Sequence, residues 1–323
     1  MSQVAVGIDL GGTNLRAAVF GALPNSAEPI LVHRESVGAD RSPEAIVSRL
    51  GTLIPELLQR AELGALCIPV GIGFAGMLSG HQGHVANSPN FGWRNVALGT
   101  MLRARLGERY KVGIYNDVNA ITYGEFTLGA GRGSSDILAV FVGTGIGAGA
   151  VCGNVLLQGA NNTATELGHT KVVIDADALQ CSCGLKGCVE AYVGGKLLQE
   201  RARRDLDSWA SSAAVELAGG VHNVHPGHLD AAAAVGDEYA LELYSEVSPM
   251  LGLAIANAVT LLNPGCLVLG GGVFSRTPVL RDFVLAAFET AVNPPAREGL
   301  QIAMAELGDA GGLVGSALLA SGY

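Results

Sequence analysis

The sequence predicts an α/β protein with about two domains, and three observations support this fold class. The chain has 323 residues, enough for two domains that each bury a core. Short apolar segments alternate with segments in which apolar residues recur about every 3.6 residues, as expected for strands followed by helices. A glycine-rich turn directly follows an apolar segment twice, at residues 11–14 and 143–147.

Each half of the chain is predicted to open with a strand, a glycine-rich turn and a returning strand. Both turns lead into the pattern Ala-Val-x-Gly, at residues 18–21 and 150–153, which suggests two related halves. The strand, turn and returning strand span residues 4–9, 11–14 and 15–20 in the first half, and residues 137–142, 143–147 and 148–152 in the second.

Helices and further strands follow these hairpins. Ser42 and Pro43 predict a helix start, because serine caps helix N-termini and proline suits the first helical position. Asn95 is predicted to cap a second helix that ends at Gly107. Further strands are predicted at residues 70–74, 112–115 and 266–269, and a C-terminal helix at about residues 311–320. No linker marks a domain boundary, so we place it near Asp117.

Composition and charge exclude several classes of protein. Hydrophobic residues make up 49% of the chain and charged residues 15%, against a usual charged share of about 25%. The net charge is −9, which argues against nucleic acid and acidic membrane surfaces as partners. No signal peptide is visible, and polar residues interrupt the apolar stretch 250–269, which therefore predicts a buried helix and strand. A cytoplasmic location is expected.

The glycine turns are candidates for binding phosphate, since bare backbone N–H groups can approach phosphate oxygens. Residues 145–150 also fit the G-x-G-x-x-A form of a dinucleotide fingerprint, but residues 150–157 read as a strand where that fingerprint needs a helix. Taken alone, each turn is explained equally well as an ordinary tight turn and as a phosphate-binding turn. Two such turns, with Asp9 beside the first, favour phosphate binding.

Two further segments follow predicted strands, where ligands collect in α/β sheets. Asp117 in the segment 116–120 could act as a general base, although the local sequence favours a helix cap. The triple glycine Gly270, Gly271 and Gly272 permits a flat ligand against the backbone, or is a simple strand-to-helix turn.

Residues 166–190 contain the most specific pattern. Their four thiol and imidazole groups suit a closed tetrahedral Zn²⁺ site, and glutamates flank the set at positions 166 and 190. The alternative is three buried cysteines and a core histidine, which does not explain the glycines in C-x-C-G-x-x-G-C. His222, His225 and His228 are expected in a surface loop. The predicted metal ligands are His169, Cys181, Cys183 and Cys188.

Together these residues resemble the ROK family (repressor, open reading frame, kinase) of the actin/hexokinase ATPase superfamily, over nearly the whole chain. Its most specific part is Glu-x-Gly-His followed by Cys-x-Cys-Gly-x-x-Gly-Cys-x-Glu. The resemblance implies a two-domain actin-like (ribonuclease H-like) fold with an interdomain cleft. The smaller domain would comprise residues 1–117 and about 304–323, and the larger one residues 118–303. One departure is Thr165, where relatives mostly carry glycine.

The resemblance also implies roles for the site residues. Asp117 would be the catalytic base. The sugar would be bound by Asn90, Asn116, Asp117, Glu166, His169 and Glu190. ATP and Mg²⁺ would be bound by Asp9, Gly11, Gly12, Thr13, Asn14, Gly143, Thr144, Gly145, Gly270, Gly271 and Gly272. Zn²⁺ would be structural.

The resulting hypothesis is an ATP-dependent hexose kinase of glucokinase type that forms glucose 6-phosphate, with homodimers implied by the resemblance. N-acetylglucosamine, N-acetylmannosamine, mannose or fructose remain alternative sugars, and polyphosphate an alternative donor. A second hypothesis is a sugar-responsive repressor, since the family includes those. Only three residues precede Val4 and the charge is acidic, so a DNA-binding role is not expected.

Overall fold

The computed structural model describes residues 3–63, 67–209 and 211–322. Strands and helices alternate within these ranges, as the sequence predicts. The strands are β1 (Gln3–Leu10), β2 (Asn14–Leu23), β3 (Leu31–Ser36), β4 (Ile68–Phe74), β5 (Met77–Ser79), β6 (His84–Ser88), β7 (Trp93–Val96), β8 (Tyr110–Asn116), β9 (Ile137–Val142), β10 (Ile146–Cys152), β11 (Val155–Leu156), β12 (Cys266–Gly270) and β13 (Gln301–Met304).

The helices fall between these strands, and short 3₁₀ turns occur at Leu167–His169, Val221–Asn223 and Gly308–Ala310. The α-helices are α1 (Pro43–Arg60), α2 (Leu98–Leu106), α3 (Asp117–Leu128), α4 (Glu190–Val193), α5 (Gly195–Leu206), α6 (Ala213–Ala218), α7 (Pro226–Ala234), α8 (Glu238–Leu262), α9 (Pro278–Ala291), α10 (Pro294–Arg297) and α11 (Gly311–Ser321).

The chain divides into two compact units. Unit 1 comprises Met1–Ser135, Gly149–Thr165 and Ala305–Tyr323, and unit 2 comprises Asp136–Ala148 and Glu166–Met304. The C-terminal helix α11 thus belongs with the N-terminal part of the chain. The functional domain limits inferred from the sequence, residue 117 and about residue 304, stay predictions.

The two five-stranded sheets have the same topology. Their orders are β3-β2-β1-β4-β8 and β11-β10-β9-β12-β13, so each reads third, second, first, fourth, fifth strand of its own set. In the first sheet β1, β2 and β3 are antiparallel neighbours, whereas β4 and β8 run parallel to β1. In the second, β12 runs parallel to both β9 and β13. This repeated order supports the inference of two related halves.

The core of unit 1 lies between its sheet and the helices that pack on it. Alternate residues of β1, Val6, Ile8 and Leu10, are fully buried with the apolar stripe of α1. Ser42 caps α1, and its side-chain oxygen accepts the Ala45 N–H, as predicted. The predicted cap at Asn95 is wrong. Asn95 lies in β7 with a positive φ of 53°, and α2 begins only after Ala97.

In unit 1, a buried carboxylate accepts backbone hydrogen bonds close to the points where the chain passes into unit 2 and returns from it. Glu125, in α3, is 0% exposed. Its Oε2 accepts the N–H groups of Ala130 (2.9 Å) and Glu306 (3.1 Å), and its Oε1 accepts that of Leu307 (2.8 Å). Three backbone donors satisfy the charge that burial would otherwise leave without partners.

In unit 2 the predicted buried helix and strand are confirmed as α8 and β12. Helix α8 is the one helix of the described residues that is long and apolar enough to cross a membrane by length and composition. Core helices of soluble proteins also meet that criterion. Residues along its length, including Tyr244, Leu251 and Val259, are buried, and it packs against α4, α7 and α9.

Candidate functional site

The first glycine turn joins β1 to β2 in unit 1. The Gly11 N–H donates to the Asn14 carbonyl at 3.1 Å, which closes the turn. A Cβ on Gly12 would lie 2.7 Å from the Cβ of Asn90, closer than side-chain atoms approach. Glycine is therefore required at position 12 because Asn90, a predicted sugar-binding residue, packs directly against the turn.

Charged side chains stand beside this turn. Asp9 and Arg16 are opposite each other on β1 and β2, and the Arg16 Nε donates to Asp9 Oδ2 at 3.0 Å, with Nη2 bonded to the same oxygen. Arg16 Nη1 also lies 3.4 Å from Asp309. These groups face a cavity of about 750 Å³, which is lined by Asp9, Gly11, Gly12, Thr13, Asn14, Arg16, Arg34, Glu35, Ser36 and Asp309.

Asn116 and Asp117 lie along the same sheet edge as the turn. Leu10, Phe74 and Asn116 are in register across the parallel strands β1, β4 and β8, so these strands end together. The expectation that Asp117 caps α3 is wrong. Asn116 is the cap, and its Oδ1 accepts the N–H groups of Val118 (3.0 Å) and Asn119 (3.1 Å). Asp117 is the first helical residue, half-buried at the positive end of the helix dipole.

The second glycine turn joins β9 to β10 in unit 2. The Gly143 N–H donates to the Gly145 carbonyl at 2.9 Å. The first N–H groups of α5, from Gly195 and Lys196, donate to the carbonyls of Gly143 (3.0 Å) and Thr144 (2.9 Å). The start of α5 therefore finds its hydrogen-bond acceptors in the turn itself.

The triple glycine and the second turn share one cavity. Strand β12 ends at Gly270, in register with Phe141 of β9, so Gly271 and Gly272 follow at the edge where the turn begins. The cavity is about 490 Å³, and its charged lining residues are two cations, Lys196 and Arg276. It is lined by Gly143, Thr144, Gly195, Lys196, Gln199, Pro226, Gly272, Val273 and Arg276.

The predicted metal ligands lie together in unit 2. One donor atom from each of the four residues is within 4.8 Å of every other. Cys181 Sγ is 3.7 Å from His169 Nδ1, and Cys183 Sγ is 3.6 Å from Cys188 Sγ. Zn–S bonds of about 2.3 Å at tetrahedral angles place ligand atoms about 3.8 Å apart, so the donor set fits Zn²⁺. None of the six cysteines, all of them among the described residues, forms a disulfide.

Burial changes the pKa of one of these thiols, and a lysine ammonium lies beside another. Burial raises the pKa of the Cys181 thiol to about 12, so a metal ion must displace its proton. The Lys171 Nζ lies 2.7 Å from Cys188 Sγ, and backbone bridging also pairs the two residues. A bound Zn²⁺ with three thiolates carries one net negative charge, which this ammonium would neutralise.

The two glutamates differ in their contacts. Glu190 Oε2 accepts the N–H of Ile146 at 2.9 Å, and its Oε1 accepts the Ser182 hydroxyl at 3.0 Å. Glu166 is half-buried just before the 3₁₀ turn that carries His169. Burial raises its pKa, His169 opposes the shift, and the negative charge of Glu190 adds to it.

A strained residue precedes Glu166. Thr165 has a φ of +65°, which β-branched residues rarely adopt. Glycine adopts this conformation without cost, which agrees with the glycine that the resemblance implies at this position.

The structure thus gathers the predicted residues into two sets. The unit 1 set comprises Asp9, Gly11, Gly12, Thr13, Asn14, Asn90, Asn116 and Asp117. The unit 2 set comprises Gly143, Thr144, Gly145, Glu166, His169, Cys181, Cys183, Cys188, Glu190, Gly270, Gly271 and Gly272. The three histidines expected in a surface loop, His222, His225 and His228, are not all in a loop. His225 caps α7, and its ring stacks on that of His228 at 3.7 Å.

Sequence reasoning missed Arg16, Lys171 and Ser182, which contact the predicted site residues. Arg16 was detectable in principle, because a hairpin closed by residues 11–14 places it opposite Asp9. Lys171 and Ser182 carry no local signal, since their contacts depend on how the metal-ligand segment folds.

Comparisons with known proteins agree with this architecture. The model of the ROK family matches residues 5–322. The glucokinase of Streptomyces coelicolor is 31% identical over 321 residues, covering 98% of this chain and 97% of that protein. The N-acetyl-D-glucosamine kinase of Photobacterium profundum is 28% identical over 322 residues, covering 97% of this chain and 98% of that protein.

A solved structure gives the same result. The ROK family glucokinase of Streptomyces griseus, in complex with glucose and AMPPNP, superposes with a TM-score of 0.79 at 31% identity. The match covers 99% of this chain and 100% of that one. The predicted fold class, an actin-like ATPase fold, is therefore confirmed, and the chain belongs to the ROK family.

Proposed function

We propose that the protein is an ATP-dependent hexokinase that transfers the γ-phosphoryl group to the 6-hydroxyl of glucose. The full-length similarity to ROK glucokinases, one of which binds glucose and an ATP analogue, supports a sugar kinase of this type. The observation that carries the assignment is the position of Asp117. It lies at the end of β8, on the sheet edge that also carries the first glycine turn.

Asp117 is the proposed general base. Its carboxylate accepts the proton of the sugar hydroxyl as that oxygen attacks the γ-phosphorus, the bond to the β,γ-bridging oxygen breaks and ADP leaves. As the first residue of α3, Asp117 is held by a regular helix. Its neighbour Asn116, already fixed as the helix cap, presents the proposed sugar-contacting amide at the same edge. Asn90 contributes a second amide beside the first turn.

The two glycine turns are the proposed phosphate sites. In unit 1, Asp9 and the turn 11–14 face one cavity, and Asp9 would contact Mg²⁺ through a water. In unit 2, the cavity beside Gly143 and Gly272 has two cations and no acidic residue in its lining, which suits the nucleotide phosphates and ribose. Mg²⁺ would neutralise charge on the transferred phosphoryl group.

Glu166, His169 and Glu190 are the proposed ligands of the remaining sugar hydroxyls. His169, Cys181, Cys183 and Cys188 would hold a structural Zn²⁺, which fixes the positions of these side chains. His169 lies three residues after Glu166, and Cys188 two before Glu190, so the ligand set ties both glutamates to one rigid point.

A coupled assay tests the function. Purified protein is supplied with glucose, mannose, fructose, N-acetylglucosamine or N-acetylmannosamine, and with ATP or inorganic polyphosphate as donor. We expect the highest kcat/KM for glucose with ATP. In the same assay Asp117→Asn should lower kcat by several orders of magnitude while the glucose Kd changes little, because the base acts mainly in the transition state. A variant that keeps most of its turnover would refute the role of Asp117.

A kinase for another sugar is the main alternative. The similarity to an N-acetyl-D-glucosamine kinase at almost equal coverage favours testing that substrate first. Its confirmation would be a higher kcat/KM for N-acetylglucosamine than for glucose. Homodimer formation, a cytoplasmic location and the lack of nucleic-acid partners stay predictions.

A further inference from the structure

The carboxylate of Glu190 touches both proposed ligand sites of unit 2. Its Oε2 accepts the N–H of Ile146, the residue that ends the second glycine turn, at 2.9 Å. Its Oε1 accepts the Ser182 hydroxyl at 3.0 Å, from the residue between two metal-binding cysteines. A half-buried carboxylate with both oxygens engaged is fixed in one rotamer, and charge-assisted hydrogen bonds are the strong ones.

The Glu190 carboxylate also occupies the space next to Gly145, in the second glycine turn. A Cβ on Gly145 would collide with Glu190 Oε2 and lie 3.1 Å from its Cδ. Any side chain at position 145 would therefore force the Glu190 carboxylate to move. The turn and the side chain define each other's geometry, so a displacement of one must displace the other.

Two neighbouring groups lack this connection. A Cβ on Gly143, in the same turn, would meet no atom within 4 Å. The Glu166 carboxylate, the other glutamate of the motif, makes no hydrogen bond to the turn among the described residues. The structure thus supplies a matched neighbour for each partner of the Glu190–Gly145 contact.

We propose that Glu190 is a positioning residue that couples the binding of sugar to the binding of the phosphoryl donor within unit 2. The proposal rests on the assignment of Glu190 to the sugar and of the turn to phosphate. Nucleotide bound at the turn fixes the Ile146 N–H and with it the Glu190 carboxylate. Sugar then binds a carboxylate that is already ordered, and linkage requires the reverse effect to be equal.

The test first measures the glucose Kd with and without saturating Mg·AMPPNP, because coupling is the ratio of these two constants. The nucleotide should lower the glucose Kd several-fold in wild type and leave it unchanged in Gly145→Ala, and an equal change in both would overturn the proposal. Each affinity is then measured in the absence of the other ligand. In sugar-free protein, Glu190→Ala should weaken binding of Mg·AMPPNP by about tenfold, since the turn loses a charge-assisted acceptor. Glu166→Ala should leave that Kd within about twofold. In nucleotide-free protein, Gly145→Ala should weaken glucose binding by about tenfold, whereas Gly143→Ala should leave it within about twofold.

Isothermal titration calorimetry gives these constants, with circular dichroism and zinc content confirming that each variant is folded and metal-loaded. The proposal is overturned when Glu190→Ala binds nucleotide as wild type does, or when Gly145→Ala binds glucose as wild type does. Equal losses in the Glu166 or Gly143 variants also overturn it, because the effect would not be specific to the contact. Wild-type protein that binds nucleotide but no hexose would instead refute the proposed function.

Discussion

The two glycine turns each join two strands through three residues, but different side chains pack against them. In unit 1, Gly12 packs against the neutral side chain of Asn90, and an ion pair between Asp9 and Arg16 lies beside the turn. In unit 2, Gly145 packs against the charged side chain of Glu190, which hydrogen-bonds the turn. Each turn therefore touches a proposed sugar ligand. The first depends on a local ion pair, whereas the second depends on the metal-ligand segment.

Removing the metal should give the largest difference between the effect on sugar binding and the effect on nucleotide binding. Cys183→Ser, or chelation of the wild-type protein, should weaken glucose binding by several orders of magnitude, because His169 and both glutamates lose their fixed positions. Nucleotide binding should fall only about tenfold, the loss expected when Glu190 no longer supports the second turn, because unit 1 and the two cations of the cavity beside Gly272 stay in place. Cys67→Ser serves as the control. Equal loss of both affinities, measured by calorimetry, would mean that the metal only keeps the protein folded.

Removing the ion pair should affect the first turn alone. Arg16→Met leaves Asp9 without its guanidinium partner, and we expect kcat/KM for ATP to fall about tenfold to a hundredfold with a higher Mg²⁺ requirement. Arg34→Met is the matched control, because Arg34 lines the same cavity and lies opposite Arg16 on β3. The glucose Kd should stay the same in both. A similar loss in the Arg34 variant would mean that the effect comes from losing any positive charge in the cavity, and not from losing the Asp9–Arg16 ion pair.

The pH dependence of glucose binding should come from unit 2. Burial raises the pKa of Glu166, so its carboxyl group takes up a proton at a higher pH than an exposed glutamate does. The ionised form accepts sugar hydroxyls. Glucose affinity is therefore complete above the raised pKa and is lost as the pH falls through it. Glu166→Gln should remove this part of the profile, which calorimetric Kd values across acidic pH would detect. An unchanged profile would contradict the assignment.

The smallest expected effect lies just before Glu166. Thr165→Gly removes the cost of a β-branched residue at φ +65°, partly offset by the greater flexibility of glycine in the unfolded state. We expect a gain of about 1 kcal/mol in the free energy of unfolding, measured in urea. Thr163→Gly, in the same loop, should bring no gain. Destabilisation by Thr165→Gly would show that the threonine side chain has a stabilising contact.

The elements of the fold were largely predictable, because period-2 and period-3.6 patterns and glycine turns are local signals. The clustering of the four proposed metal ligands was predictable for the same reason, since their spacing is local. The residues that cap the helices were less predictable. Asn116 and Asp117 both suit a cap, and the choice depends on where β8 ends. The contact between Glu190 and Ile146 spans 44 residues, and no periodic pattern encodes it.

Glu125 has a consequence for how the chain is threaded. The chain leaves unit 1 after Ser135 and returns to it finally at Ala305, and Glu125 holds the backbone just before the exit and just after the return. The intervening segment belongs to unit 2 except for Gly149–Thr165, and this one carboxylate holds the backbone at both of its ends. Bringing the ends of such a segment together costs entropy that grows slowly with its length. A single acidic side chain thus holds together the two ends of a segment that makes up about half of the protein.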